Sequence, residues 1–128
     1  MAGGDLSDFR TAGRTLLSLG LVRGSEGNLS VSDGVGLVIT RTGSHLGDLG
    51  EGDVLEGTLG APPAEASSDL TLHVAMYREY GPGAIAHAHP EGSVPEGWVE
   101  GEPHGVYAHR ATLAEAVAAI VEEVRATS

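Results

Sequence analysis

The stretch Ala84-Ile85-Ala86-His87-Ala88-His89 reads as a β-strand, and the remaining elements arrange themselves around it. Alternate residues of a strand point to the same face, so His87 and His89 project side by side, with only small Ala methyls for neighbours. Two neutral imidazoles so placed make a bidentate metal clamp. Neutral imidazole is the commonest protein ligand for zinc and related metals, and a catalytic site takes three protein ligands and leaves one position open. A third ligand has to come from elsewhere in the chain.

Upstream of that strand, Gly81-Pro82-Gly83 ends a helix that carries Leu70, His73, Val74 and Tyr77 on one face. Ser67-Ser68-Asp69 is a capping cluster at its start. The preceding connector contains Pro62 and Pro63, which cannot continue a β-ladder. Nearer the N-terminus, Leu6, Phe9, Gly13, Leu16 and Leu17 fall at helical spacing between Asp5 and Gly20, with Asp5 or Ser7 as the cap. Asp33-Gly34 marks a hairpin between a short strand after Asn28 and the strand Gly36–Thr40. A turn or short helix is expected at Leu46-Gly47-Asp48-Leu49, and a strand at Val54–Leu59.

Downstream, residues 90–103 are polar and rich in Glu, Gly and Pro, with Trp98-Val99 the one apolar point. A strand at Gly105–His109 then leads to a helix. Thr112 and Glu115 have capping-box spacing, and Leu113, Ala116, Val117, Ile120, Val121 and Val124 form its buried stripe. The pattern predicts a single α/β domain over residues 1–128, with a central, mostly antiparallel sheet and helices packed on it.

Composition narrows the function. Seven Lys and Arg against eighteen Asp and Glu give a formal net charge of −11. That charge disfavours nucleic acid and anionic membranes as partners. With no cysteine, a transition-metal site must be built from His, Asp and Glu. No stretch reaches transmembrane length, and the N-terminus lacks a basic segment followed by an apolar run, so a soluble, cytoplasmic protein is expected. A small anionic substrate is allowed, provided a metal or local hydrogen-bond donors receive it.

Pro103-His104-Gly105 places an imidazole at the mouth of the last strand, which can pair beside the His87 strand. His104 is therefore the natural third ligand. Taken singly, each of these histidines reads as a surface or packed residue, and only their convergence points to a metal. A second cluster joins Ser67, Ser68 and Asp69 with Gly27-Asn28 and Thr42-Gly43 in two turns. Hydroxyls, an amide and N–H groups at a helix start form an anion cradle that needs no lysine. The plainer alternative is a capped helix and two turning glycines. His73 reads as packed or hydrogen-bonded, His45 and His109 as surface residues, and Arg41 as solvated.

Gly24-x-x-Gly27-Asn28-Leu29-Ser30, Ile39-Thr40-x-Thr42-Gly43, Ser67-Ser68-Asp69 with His73 and Tyr77, His87-x-His89 and His104-Gly105-Val106 follow one another in order. This series resembles the class II aldolase/adducin family, which includes fuculose-phosphate aldolase and ribulose-phosphate 4-epimerase. The resemblance implies a three-layer fold with helices on both faces of the sheet, and a homotetramer. It implies zinc on His87, His89 and His104, and a phosphorylated sugar substrate held by Gly27, Asn28, Thr42, Gly43, Ser67 and Ser68. Asp69 takes the place of the catalytic carboxylate, in a lyase that cleaves a small phosphorylated ketose through a metal-stabilised enediolate.

Two departures bear on that implication. The aldolases carry Glu where this chain has Asp69, whereas the epimerase branch carries Asp. Only fourteen residues, 90–103, separate His89 from His104, where family members have several times as many. An epimerase-like enzyme and a non-catalytic, adducin-like binding module are the alternatives.

Overall fold

Asp33 sets the central hairpin. Its carboxylate accepts the N–H groups of Val35 and Gly36 at 3.0 and 2.7 Å, and Gly34 takes a φ of 101° that other residues adopt only under strain. Strand β1 (Asn28–Ser32) thereby folds back into β2 (Gly36–Thr40). The computed structural model describes residues 5–67, 69–90 and 105–127. Its remaining strands are β3 (Val54–Thr58), β4 (Gly83–Ala88) and β5 (Val106–Arg110), and its α-helices are α1 (Leu6–Ser18), α2 (Leu70–Tyr80) and α3 (Leu113–Thr127). Short 3-10 turns occupy Leu46–Asp48 and Glu51–Asp53.

The five strands form one sheet in the order β3-β2-β1-β4-β5, with every neighbouring pair antiparallel. The His-bearing strand β4 lies between β1 and β5, in a register that sets His87 opposite Asn28 on one side and Tyr107 on the other. Strand alternation then divides the core in two. Leu29, Val31, Val38, Ala84, Ala86 and Ala88 pack with Phe9 and Leu16 of α1 and with Leu113, Ala116, Val117 and Ile120 of α3. Leu37, Ile39 and Ile85 pack with Tyr77 of α2. Each fully buried Leu, Ile or Phe contributes roughly 1.5–3 kcal/mol, so the first cluster carries most of the apolar stabilisation.

The predicted elements recur with small shifts. Asp5 caps α1, accepting the Asp8 N–H at 2.8 Å. β3 ends at Thr58, one residue early, and β5 begins at Val106, after Gly105 at a φ of 69°. In α3 the Thr112 hydroxyl accepts the Glu115 N–H at 3.2 Å and itself approaches the Glu115 carboxylate at 3.1 Å. That is half of the expected capping box. Val121 and Val124 are only partly buried, because they sit at the edge of the stripe that Ile120 centres. Trp98 and Val99 lie outside the described residues. No described helix is long and apolar enough to cross a membrane.

Candidate functional site

Three elements meet at His87. Its strand, β4, buries the ring completely. The register brings Asn28 of β1 alongside, and the start of α2 delivers Asp69. Asp69 stands at the N-cap of α2, yet its carboxylate does not cap the helix. Instead Asp69 Oδ2 accepts the Asn28 Nδ2–H at 2.7 Å and lies 2.8 Å from His87 Nδ1. This corrects the expectation of a plain capping cluster. The Asp69 backbone N–H is taken by Ser67 Oγ at 3.3 Å.

His89 follows the last residue of β4, held by its backbone N–H to Leu21 O at 2.9 Å. Its ring centroid is 4.6 Å from that of His87, at an interplanar angle of 64°. The side-by-side imidazoles expected from strand alternation are thus present. Glu26 approaches His89 Nδ1 at 3.8 Å. The Tyr107 ring stacks on His87 with centroids 3.8 Å apart and planes 5° from parallel, a packing that fixes the imidazole plane.

His104 and Ser68 lie outside the described residues. The described neighbour of His104 is Gly105, which enters directly at the histidine pair. A β-carbon there would stand 3.0 Å from His89 Cδ2, 3.1 Å from His87 Nε2 and 2.4 Å from Ala88 O. Only glycine brings the backbone so near both rings. Among the described residues no group of three His, Asp or Glu side chains is gathered as a metal cluster. The donors in hand are two imidazoles and one buried carboxylate, a set whose chemistry fits zinc or a similar borderline cation.

The anion residues converge. A cavity of about 110 Å³ is lined by Gly27, Asn28, Thr42, Gly43 and Ser67, together with Asp69 and His89. The phosphate candidates and two of the metal-side candidates therefore share one wall. Gly27 ties the two together: at a φ of 78°, any β-carbon on it would come within 2.7 Å of His87 O. A second cavity, about 1090 Å³, runs between α1 and α3 and contains no histidine; its ionisable residues Asp8, Glu122 and Arg125 are exposed. The candidate residues line the smaller one.

The expected N–H donors need revision. Thr42 N–H bonds Glu65 O at 2.9 Å, Ser67 N–H bonds Thr40 O at 3.0 Å, and Leu70 N–H bonds Ser67 O at 3.0 Å. The bridge between Arg41 and Ala66 draws these two turns together and uses their amides. With those three amides engaged, Thr42 and Ser67 still bring their hydroxyls to the cavity lining. Arg41 also lines the cavity. Its side chain is solvated as expected, at 40% exposure, and the guanidinium still meets Glu65 Oε2 at 2.5 Å and donates to Gly52 O at 2.9 Å.

Residues 7–95 match the class II aldolase and adducin N-terminal domain. The chain belongs to the class II aldolase and adducin family. A 5-methylthioribulose-1-phosphate/5-deoxyribulose-1-phosphate aldolase of Rhodospirillum rubrum is 35% identical over 82 residues, which are 61% of this chain and 37% of that protein. An L-fuculose phosphate aldolase of Methanocaldococcus jannaschii is 36% identical over 88 residues, 66% of this chain and 49% of that protein. The chain thus spans half or less of the length of these relatives. The crystal structure of L-fuculose-1-phosphate aldolase from Thermus thermophilus aligns with a TM-score of 0.60 and 38% identity, over 65% of this chain and 43% of that one. YgbL from Klebsiella pneumoniae shares the fold, with a TM-score of 0.76 at 22% identity over 94% of this chain and 84% of its own.

Within this aldolase-family framework, three residues make contacts that their sequence positions do not suggest. Tyr107 owes its stack on His87 to the β4–β5 register, which no local pattern reports. Ser30 on β1 hydrogen-bonds both His73 and Tyr77 of α2. His109, expected on the surface, is partly buried: Nε2 bonds Gly81 O at 2.9 Å and the ring meets Tyr77 edge-on. His73 is packed and hydrogen-bonded, as its helical face implied, and His45 is exposed.

Proposed function

We propose that this chain is a zinc-dependent lyase of the class II aldolase type, acting on a small phosphorylated ketose. The observation that carries the reading is the shared wall: the cavity formed by Gly27, Asn28, Thr42, Gly43 and Ser67 also contains Asp69 and His89, and Asp69 touches His87. Ser68 and His104 join these two groups by sequence position. Zinc would be held by His87, His89 and His104, and when bound it supplies positive charge that polarises a substrate carbonyl. The hydroxyls of Thr42 and Ser67 receive the phosphate and orient the sugar. Asp69 holds or moves the substrate proton at its carboxylate, from the cavity wall. Tyr107 keeps the His87 ring in plane, and Gly105 brings its own backbone beside both rings.

The two separate cores on the sheet support a three-layer, single-domain unit of the family type. A homotetramer in the cytoplasm is the matching assembly. Epimerase-like chemistry is the second reading, favoured by Asp rather than Glu at position 69. Zinc-loaded full chain offered a panel of ketose phosphates, among them fuculose 1-phosphate and 5-methylthioribulose 1-phosphate, separates the readings by product mass. Two shorter carbon fragments support the lyase, and a product of unchanged mass supports the epimerase. Zinc binding by His87 with no turnover of any panel member would refute both and leave a binding module.

A further inference from the structure

Asn28 stands beside Gly27 in the cavity lining, where the family resemblance gives it to the phosphate. Its side chain is engaged elsewhere. Asn28 is 3% exposed and Asp69 6%, and polar groups so enclosed are costly unless each finds a partner. Asn28 Nδ2–H donates to Asp69 Oδ2 at 2.7 Å, and Asn28 Oδ1 meets His73 Nε2. A carboxylate only accepts, so the NH2 faces Asp69 and the amide oxygen faces His73. Both ends of the amide are thus held, and its plane is fixed.

The second N–H of that NH2 is a poor place for an anion. Ordinary hydrogen-bond lengths about a trigonal nitrogen would set a phosphate oxygen there about 5 Å from Asp69 Oδ2. Like charges at that separation repel, and the more so in a wall that water scarcely reaches.

The bond from Asn28 to Asp69 also joins a firmly placed residue to one with less local support. Asn28 opens β1, lies in register with His87 and has its oxygen met by His73. Asp69 precedes the first residue of α2, and its side chain makes no cap bond to that helix. His87 Nδ1 stands 2.8 Å from the same carboxylate oxygen. Without the amide, a buried carboxylate would lose a charge-assisted hydrogen bond and turn to other donors.

We propose that Asn28 is a positioning residue and not a ligand of the phosphate: its amide holds the Asp69 carboxylate in the cavity wall, at the place from which Asp69 acts on the substrate proton. The task of Asp69 rests on the function proposed above, whereas the hydrogen bond does not. The phosphate is left to donors other than this amide, the hydroxyls of Thr42 and Ser67 among them.

Zinc-loaded full chain tests this, assayed with the ketose phosphate that it turns over fastest and with inorganic phosphate as competitive inhibitor. Asn28→Ala is expected to lower kcat about ten- to a hundredfold, with KM and the phosphate inhibition constant held within about twofold. Thr42→Ala should do the reverse, raising KM and the inhibition constant together. Asp69→Asn, alone and combined with Asn28→Ala, completes a double-mutant cycle. Because Asn28 acts through Asp69, the double variant should be no slower than Asp69→Asn. Should Asn28→Ala fail to fold, Asn28→Ser takes its place in the same cycle, since the shorter hydroxyl does not reach the carboxylate. An inhibition constant raised about tenfold or more by the Asn28 variant, or losses in kcat that multiply in the double variant, overturns the proposal and leaves the lyase or epimerase reading intact. A wild type that turns over no ketose phosphate defeats that reading instead, and the positioning task with it.

Discussion

The two faces of the sheet are built from the same strands and do opposite work. Toward α1 and α3, β1 and β4 offer Leu29, Val31, Ala84, Ala86 and Ala88, all apolar. Toward α2 they offer Ile85, which joins the smaller apolar cluster, and beside it Asn28, Ser30 and His87, each buried and each beside a polar partner on α2 or at its start. A period of two residues is enough to separate the part that holds the fold from the part that holds the chemistry. The apolar face tolerates no gap but asks for no particular geometry. The polar face gains little net energy from its hydrogen bonds, yet loses a desolvation penalty for each one broken, so it fixes orientation more than it adds stability.

That contrast can be probed at several points. Leu16, fully buried on the apolar face, should lose about 2–5 kcal/mol on substitution by Ala. Urea unfolding measures this, and the zinc affinity of the folded fraction should not change. On the polar face, burial holds His73 neutral down to about pH 3, while the unfolded chain takes up that proton near 6.5. Between those values the unfolded state binds the extra proton, so stability falls as pH falls, by roughly 1.4 kcal/mol per unit from this group. Unfolding free energies at a series of pH values show the slope, and His73→Gln should flatten it.

Ser30→Ala strips a hydroxyl from His73 and Tyr77 at once and should cost about 1–3 kcal/mol, less than the Leu16 cavity. Arg41→Ala removes an ion pair whose partners are 40% and 63% exposed, worth about 1 kcal/mol or less. Its thermal midpoint should stay close to that of the wild type.

The apolar face was legible in the sequence because its signals are local. Leu113, Ala116, Val117 and Ile120 announce a helix by spacing alone, and Asp33-Gly34 announces its hairpin. Gly27, Asn28, Thr42, Gly43, Ser67 and Asp69 were legible as a group because they fall at turns and a helix start, which the fold then brings to one cavity. Side-chain direction was not. Asp69 has the position of a helix cap but bonds across the sheet, since the geometry that attracts it comes from Asn28, forty-one residues earlier. The stack of Tyr107 on His87 and the series through Ser30, His73 and Tyr77 likewise depend on strand register and helix placement. The N–H groups at the helix start read as free donors, but Ser67 N–H goes to Thr40 O beside the Arg41–Ala66 bridge and Leu70 N–H to Ser67 O.

On the proposed reading, the polar face ends in a metal site at His87. Metal analysis of the full chain, purified without chelator or histidine tag and titrated with zinc beside a folded His87→Ala variant, is the decisive test. The expected result is one zinc per wild-type chain and none in His87→Ala. A wild type that takes up no added zinc, or a His87→Ala variant that binds zinc as tightly, contradicts it.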